Sequence, residues 1–390
     1  MTNDLRGPTV SGPVPGPVPD AAAIATLITE VQSVGLRVET AVESRTGGAG
    51  PTDAGMLWIE GFPVTVPTQT DGARRSPYVL RPEDDGGQAI YRDDRRLASV
   101  AGSTRPRYYD RTTADGIPYW KIALLHLDSM ASTVVQTCNY WNTADQCRFC
   151  GIGVSLEAGR TIVRKTPEQL AEVSIAAKEL DGAVDATLTT GSSTAPDRGA
   201  RYVARCGRAV KDASGLPVEI QFEPPRDLAI LDEVHGTGGS DAVGIHVETF
   251  DPDVLARVAP GKARTGIETY FRTWERAVEL WGPGRVSTYV ILGMGEDPDV
   301  TVEGCRRAVD LGVYPFVVPL RPVAGSLMAD WAPPPGEYSE RVYRRVAGYM
   351  TERGMSGDDA VAGCARCQAC SALSAVQPLL QIGRRPPGAS

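Results

Sequence analysis

An α/β fold, six strand–helix units curled into a partial barrel, is what the pattern of this 390-residue chain predicts. Three observations carry that reading. Apolar or β-branched runs recur at 132–137, 183–190, 217–222, 242–247, 286–292 and 314–320, amphipathic segments lie between them, and Gly-containing turns separate each helix from the next run. Strand, helix and parallel strand make the right-handed crossover unit. Six of them form a partial TIM-like barrel, (β/α)6, rather than the full ring of eight.

The elements follow in order. Residues 1–20 are rich in Pro and Gly with little to bury, and are expected to be disordered. Residues 21–125 read as a small N-terminal α+β region. It opens with a helix over 21–34, where Ile24, Leu27, Ile28 and Val31 share one face and Gly35 ends it. Short β-like runs at 56–61, 62–67, 78–82 and 89–93 follow, broken by Gly, Pro and Asp. The barrel is assigned to 126–330. Its clearest helix start is Thr166-Pro167-Glu168-Gln169, a capping box with Pro at the first helical position, after which Leu170, Val173 and Ala177 line one face. Further helices are read at 197–213, 266–280 and 300–311. Residues 331–390 form a C-terminal extension with a helix over 337–352 and a Gly-rich loop.

Composition excludes several classes. With a net charge of −8 and a pI near 5.2, the chain has no excess of Lys and Arg to neutralise a phosphate backbone, so no nucleic-acid partner is expected. No run of about 18 apolar residues occurs and the first residues lack a signal-peptide core, so no membrane is expected and the location is read as cytoplasmic. Reducing cytosol keeps thiols free, and clustered cysteines there read as metal ligands.

Six of the eight cysteines form two triads: Cys138, Cys147 and Cys150 after the first barrel strand, and Cys364, Cys367 and Cys370 near the C-terminus. Three thiolates hold a four-iron four-sulfur (4Fe-4S) cluster while leaving one iron open. Zinc would need a fourth Cys or His, and His126, His235 and His246 all lie far from both triads in sequence; a distant ligand keeps zinc open at each. Cys206 and Cys305 fall on helices and read as buried packing.

The run from Cys138 to Gly151, with Phe149 directly before Cys150, resembles the cluster loop of the radical S-adenosylmethionine (SAM) superfamily, though eight residues rather than three separate its first two cysteines. That resemblance implies a partial barrel with a 4Fe-4S cluster on Cys138, Cys147 and Cys150 and S-adenosylmethionine as cofactor. It assigns further residues by position. Thr190, Gly191 and Ser192 match the turn that binds the cofactor's amino group, with a plain βα turn as the alternative. Glu248 matches the ribose-binding acid of biotin synthase and its relatives. Ile291 and Gly293 match the stretch beside the adenine, and Arg264 the position near the carboxylate, with a solvated loop cation as the alternative. Glu223 is read as a cofactor or substrate contact or a structural ion pair, and His246 as a proton donor or a wall residue. Arg321, after strand six, suits a substrate carboxylate or phosphate. The second triad resembles the auxiliary cluster of biotin- and lipoyl-synthase-like enzymes.

The activity implied is hydrogen abstraction by a 5′-deoxyadenosyl radical from a small metabolite of nucleotide- or sugar-like character, with sulfur insertion from the auxiliary 4Fe-4S cluster. A reductase or flavodoxin would supply the electron. An electron-relaying auxiliary cluster that gives oxidation or rearrangement is the alternative; a non-catalytic zinc or redox sensor is the alternative of another class.

Overall fold

The computed structural model describes residues 20–382 apart from 41, 43 and 46–53. The expectation of disorder over 1–20 falls outside the described residues except for Asp20. Helix α1 (Ala21–Val34) is capped by the Asp20 side chain, which accepts from the Ala22 amide at 3.2 Å. Strands β1 (Arg37–Val38), β2 (Ser44–Arg45), β3 (Ala54–Ile59), β4 (Phe62–Pro67), β5 (Tyr78–Pro82), β6 (Gln88–Arg92) and β7 (Arg95–Gly102) make the first sheet, with the short helix α2 (Asp71–Arg74) between β4 and β5. Its order is β1-β5-β6-β7-β3-β2, and β4 pairs with β3.

Helix α3 (Tyr119–Ile122) leads into a second sheet of strands β8 (Leu124–His126), β9 (Ser129–Thr133), β10 (Asp185–Thr189), β11 (Val218–Gln221), β12 (Ala242–Gly244), β13 (Val286–Leu292) and β14 (Val313–Pro319), which are hydrogen-bonded in sequence order. Strands β9 to β14 run parallel. Helices α4 (Ile152–Glu157), α5 (Pro167–Asp181), α6 (Ala200–Ser214), α7 (Ala229–Gly238), α8 (Pro252–Val258), α9 (Pro260–Ala263), α10 (Ile267–Trp281) and α11 (Pro298–Asp310) fill the connections. This mixed α/β architecture fits a partial TIM-like barrel. The capping box at Thr166 is made in full: Thr166 Oγ1 accepts from the Gln169 amide at 3.2 Å and Gln169 Oε1 from the Thr166 amide at 2.9 Å.

Three local differences from the sequence pattern position the site. Strand β8 runs antiparallel to β9 through a tight turn with Leu127 at φ 56°, and three residues are too few to show a period. The first barrel strand ends at Thr133 rather than 137, because Val135 turns to an antiparallel bridge with Arg164 and the Gln136 amide to the Val163 carbonyl. The expected strand over 242–247 stops at Gly244: the Val247 amide donates to Thr288 Oγ1, and Glu248, left-handed at φ 70°, rejoins the sheet by a bridge to Val290.

The C-terminal segment packs back on the rest. Helix α12 (Gly336–Glu352) precedes a short helix α13 (Gly363–Cys367) and α14 (Leu373–Ile382), and α1 packs against α12 and α14. The edge strand β14 carries Pro315 and Pro319 and is covered there, since Ser371 Oγ donates to the Val317 carbonyl at 2.5 Å. In β4, the Thr65 amide donates to the Ala369 carbonyl at 2.7 Å. No helix among the described residues is long and apolar enough to cross a membrane.

Candidate active site

The first triad lies beyond the C-terminal ends of β9 and β10. Its loop is fixed by main-chain bonds from the Asn139 amide to the Ser192 carbonyl at 2.8 Å and from the Arg148 amide to the Val258 carbonyl at 2.7 Å. Gly191 is required by that closeness: a Cβ there would stand 2.0 Å from the Thr137 carbonyl oxygen. Burial pushes the thiols of Cys138 and Cys147 up and that of Cys150 to about 11, so loading a cluster must displace protons.

Charged groups converge beside this loop. Glu223 Oε2 accepts from Ser192 Oγ at 2.5 Å and from the Tyr140 hydroxyl at 3.2 Å, and Arg198 donates to the same hydroxyl at 2.9 Å. Lys262 Nζ donates to the Glu248 carboxylate and, at 2.9 Å, to the His246 carbonyl. Burial works against the Lys262 charge, but Glu248, together with Tyr270, Cys147 and Glu223, outweighs it and holds the ammonium well above its ordinary range. Glu248 Oε1 is therefore committed to Lys262.

His246 accepts from the Tyr289 amide at Nδ1, 3.2 Å, which places its proton on Nε2. Burial and then Lys262 lower its pKa to about 3, so the ring is neutral. Its Nε2, together with Glu223 Oε1, Arg198 Nε and Ser193 Oγ, is buried with no hydrogen-bond partner among the described residues. A cluster with a polar cofactor fits such a place: three free thiols, a glycine cradle, and buried polar atoms awaiting partners. No three His, Cys, Asp or Glu side chains among the described residues converge on a point for one metal ion, whereas a cuboidal cluster takes its thiolates at separate corners.

The second triad approaches the same sheet from the strands' N-terminal ends. Arg366 donates to both carboxylate oxygens of Asp185, at 3.0 and 3.1 Å, and to both of Asp128, at 3.0 and 2.7 Å. The Gly363 amide adds a 2.6 Å bond to Asp185, and the Cys364 amide one of 3.3 Å to Glu219. Gly363 sits at φ 84° with Glu219 so close that a Cβ would stand 2.2 Å from the carboxylate. Burial pushes Glu219 up to about 7. Cys364 Sγ accepts from the Tyr289 hydroxyl at 3.1 Å and from Gln221 Nε2 at 3.6 Å, donors that suit a thiolate, and Cys370 Sγ lies 3.7 Å from Thr65 Oγ1.

All three C-terminal cysteines line a cavity of about 390 Å³ that also takes in Gln136, Lys165, Thr187 and Phe316. The first triad is absent from its lining. Beside the first loop lies a separate cleft of about 370 Å³, lined by Asn139, Tyr140, Arg198, Arg226 and Arg264.

The remaining residues expected at the site are placed as follows. Thr190 and Ser192 flank Gly191 beside the cluster loop, and Phe149 is half-buried against the core. Arg264 is exposed and paired with Asp145 of the cluster loop. Ile291 is buried in β13, and Gly293, at φ 94°, faces Pro334. Arg321 lines neither cavity; its guanidinium donates to the Thr65 carbonyl and ties β4 to the end of β14. Cys206 and Cys305 are fully buried in helices. Sequence reasoning missed Lys262, Tyr140, Arg198, Tyr289 and Arg366. Only Tyr140 and Arg366 carried a signal, being inside the cysteine motifs.

Residues 136–309 match the sequence model of the Radical SAM superfamily, whose members use a 4Fe-4S cluster and S-adenosylmethionine, and the match takes in somewhat under half of the chain. Bacteriochlorophyllide c C-7(1)-hydroxylase of Chlorobaculum limnaeum is 27% identical over 230 residues, 54% of this chain. The chain spans 57% of that relative's length. Methylornithine synthase aligns at a TM-score of 0.44 with 18% identity, over 58% of this chain and 62% of its own. A radical SAM methyltransferase from Sphaerobacter thermophilus aligns at 0.44 with 16% identity, over 77% and 82%.

Proposed function

We propose that this chain, as the carrier of a radical SAM domain, abstracts hydrogen from a small metabolite held in the 390 Å³ cavity and passes the substrate radical to an auxiliary cluster on Cys364, Cys367 and Cys370. Cys138, Cys147 and Cys150 would hold the first cluster. With S-adenosylmethionine bound, that cluster supplies a one-electron cleavage of the cofactor and the carbon radical that follows. The chain's own residues bind and orient. Ser192 and the Gly191 turn offer polar contacts to the cofactor's amino group, Glu248 accepts from ribose hydroxyls while Lys262 holds its other oxygen, and the sheet excludes water from the radical. Ile291 and Gly293 are assigned to the adenine. A small reductase or flavodoxin would deliver the electron.

Sulfur insertion is the reading the geometry supports best. One observation carries it: the second triad lines the cavity. Electrons cross gaps between separated centres, but a sulfur atom moves only between groups in contact, and a cluster held by thiols in a substrate wall would suit transfer. Radical oxidation is the second reading, favoured by the hydroxylase relative. Reconstitution with isotopically heavy sulfide separates them. Product carrying the label is expected; product that gains oxygen, or loses two hydrogens, with no label would replace sulfur insertion by oxidation.

A further inference from the structure

The same cavity is cationic in a chain that is acidic as a whole. The chain carries a net charge of −8, yet Arg105, Lys121, His126, Arg160 and Lys165 all line this space, and no Asp or Glu among the described residues does. Arg105 is largely spent, since Asp110 pairs with it at 2.7 Å. Lys121 and Arg160 are different. Their segments are joined, since Thr161 Oγ1 next to Arg160 donates to the Lys121 carbonyl at 3.1 Å, and Lys121 Nζ stands 5.3 Å from the Trp120 ring. Lys165 is buried and donates to the Thr133 carbonyl at 2.7 Å and to Gln136 Oε1 at 3.2 Å. The wall also takes in Tyr289, Phe316 and the second triad.

The lining thus brings together cations, aromatic rings and sulfur. A neutral ligand would leave these cations without a counter-charge, and a cation would be repelled by them. We infer that the cavity takes a small molecule with one anionic end, a carboxylate or phosphate, held at Lys121 and Arg160, its hydrocarbon part directed past Lys165 toward Cys364, Cys367 and Cys370. Arg160 suits either oxyanion because its fork donates to two oxygens at once. This rests on the cavity being the substrate site, as proposed above, and it narrows that substrate to an organic anion.

The test is calorimetric binding of three matched probes to the full chain at low salt: 4-phenylbutyrate, 3-phenylpropyl phosphate and the neutral 4-phenylbutyramide. At least one anion should bind about tenfold or more tightly than the amide, the scale of a charged hydrogen bond. In the Lys121→Gln/Arg160→Gln double variant that preference should vanish while amide affinity stays, and the preferred anion tells carboxylate from phosphate. Equal binding of all three probes, or a preference that survives the double variant, would overturn the inference. Lys165→Met is a second variant, expected to weaken the anion without altering the amide. The binding needs no cluster. A chain that prefers the anion but fails to cleave S-adenosylmethionine would defeat the radical reading alone, and one that cleaves it with no preference would defeat this inference alone.

Discussion

The two cysteine triads are held in contrasting ways. The first hangs on a loop pinned by main-chain bonds, with Lys262, Glu248, Tyr140, Glu223 and Arg198 clustered around it and several polar atoms left without partners. The second is clamped: Arg366 spans two carboxylates, Glu219 and Asp185 take the amides of Cys364 and Gly363, and Tyr289 and Gln221 donate to Cys364 Sγ. Unmet polarity around the first triad suits a place that receives a cofactor. The paired carboxylates beneath the second suit a fixed wall. Each depends on a glycine for close approach, Gly191 at the first and Gly363 at the second, so the constraint on backbone is shared while the chemistry around it differs.

The sharpest way to break this comparison is to remove one triad at a time. Cys147→Ala with Cys150→Ala should abolish cleavage of S-adenosylmethionine, whereas alanines at 364, 367 and 370 should leave it running; each variant should hold about four irons instead of about eight. Cleavage that survives the first change, or dies with the second, would exchange the roles assigned here. Iron and 5′-deoxyadenosine assays read this directly.

A smaller effect probes the clamp. Arg366→Leu leaves Asp185 buried and uncompensated, and breaking such pairs costs about 3–5 kcal/mol. The midpoint of chemical unfolding should fall accordingly, and iron at the second triad should be lost before iron at the first. An unchanged midpoint would mean the network contributes nothing net.

The Glu248 carboxylate gives the next step down. Changing Glu248 to Gln alone strands the Lys262 charge, so the informative variant is Glu248→Gln with Lys262→Met. Its affinity for S-adenosylmethionine should drop about ten- to a hundredfold, the scale of about 1.5–3 kcal/mol for a charged hydrogen bond. Wild-type affinity by equilibrium dialysis would make the pair structural only.

The smallest effect is a pH dependence. Burial lowers His246 from 6.5 to about 3, so the unfolded chain binds the extra proton first. Stability should therefore fall as pH drops below about 6.5 toward 3, with this residue supplying at most about 1.4 kcal/mol per pH unit. His246→Leu should be less pH-dependent than wild type by that amount between pH 6.5 and 5; parallel curves would show that the ring is charged or exposed in the native state.

Much of the frame was legible because it is periodic. The run over 286–292 is β13 to the residue, the capping box at Thr166 starts α5 as read, and α1 spans 21–34. What escaped is tertiary. Glu248 was picked by position, but Lys262 beside it has no local pattern that points to a partner 14 residues earlier. The C-terminal triad looked external because it follows the last strand–helix unit; only folding reveals that Arg366, unremarkable between two cysteines, carries it to Asp128 and Asp185. The run over 242–247 outlasts β12 because Ile245 and Val247 stay apolar while the Val247 amide leaves the main-chain ladder for Thr288 Oγ1.

Thr65 is where distant stretches of the chain meet: its amide reaches Ala369, its hydroxyl lies against Cys370, and its carbonyl takes Arg321. Joining residues 305 positions apart carries a loop-closure entropy of about 5 kcal/mol for an otherwise free chain, a cost met only after the intervening sheet has drawn the ends together. Assembly order follows. The first triad lies within a dozen residues and can gather as soon as β9 and β10 pair, but the second becomes a site only when the N-terminal sheet and the last helices have both docked. Iron offered early in refolding should accordingly reach the first triad alone, and the second would be filled last, as a seal on a chain already folded.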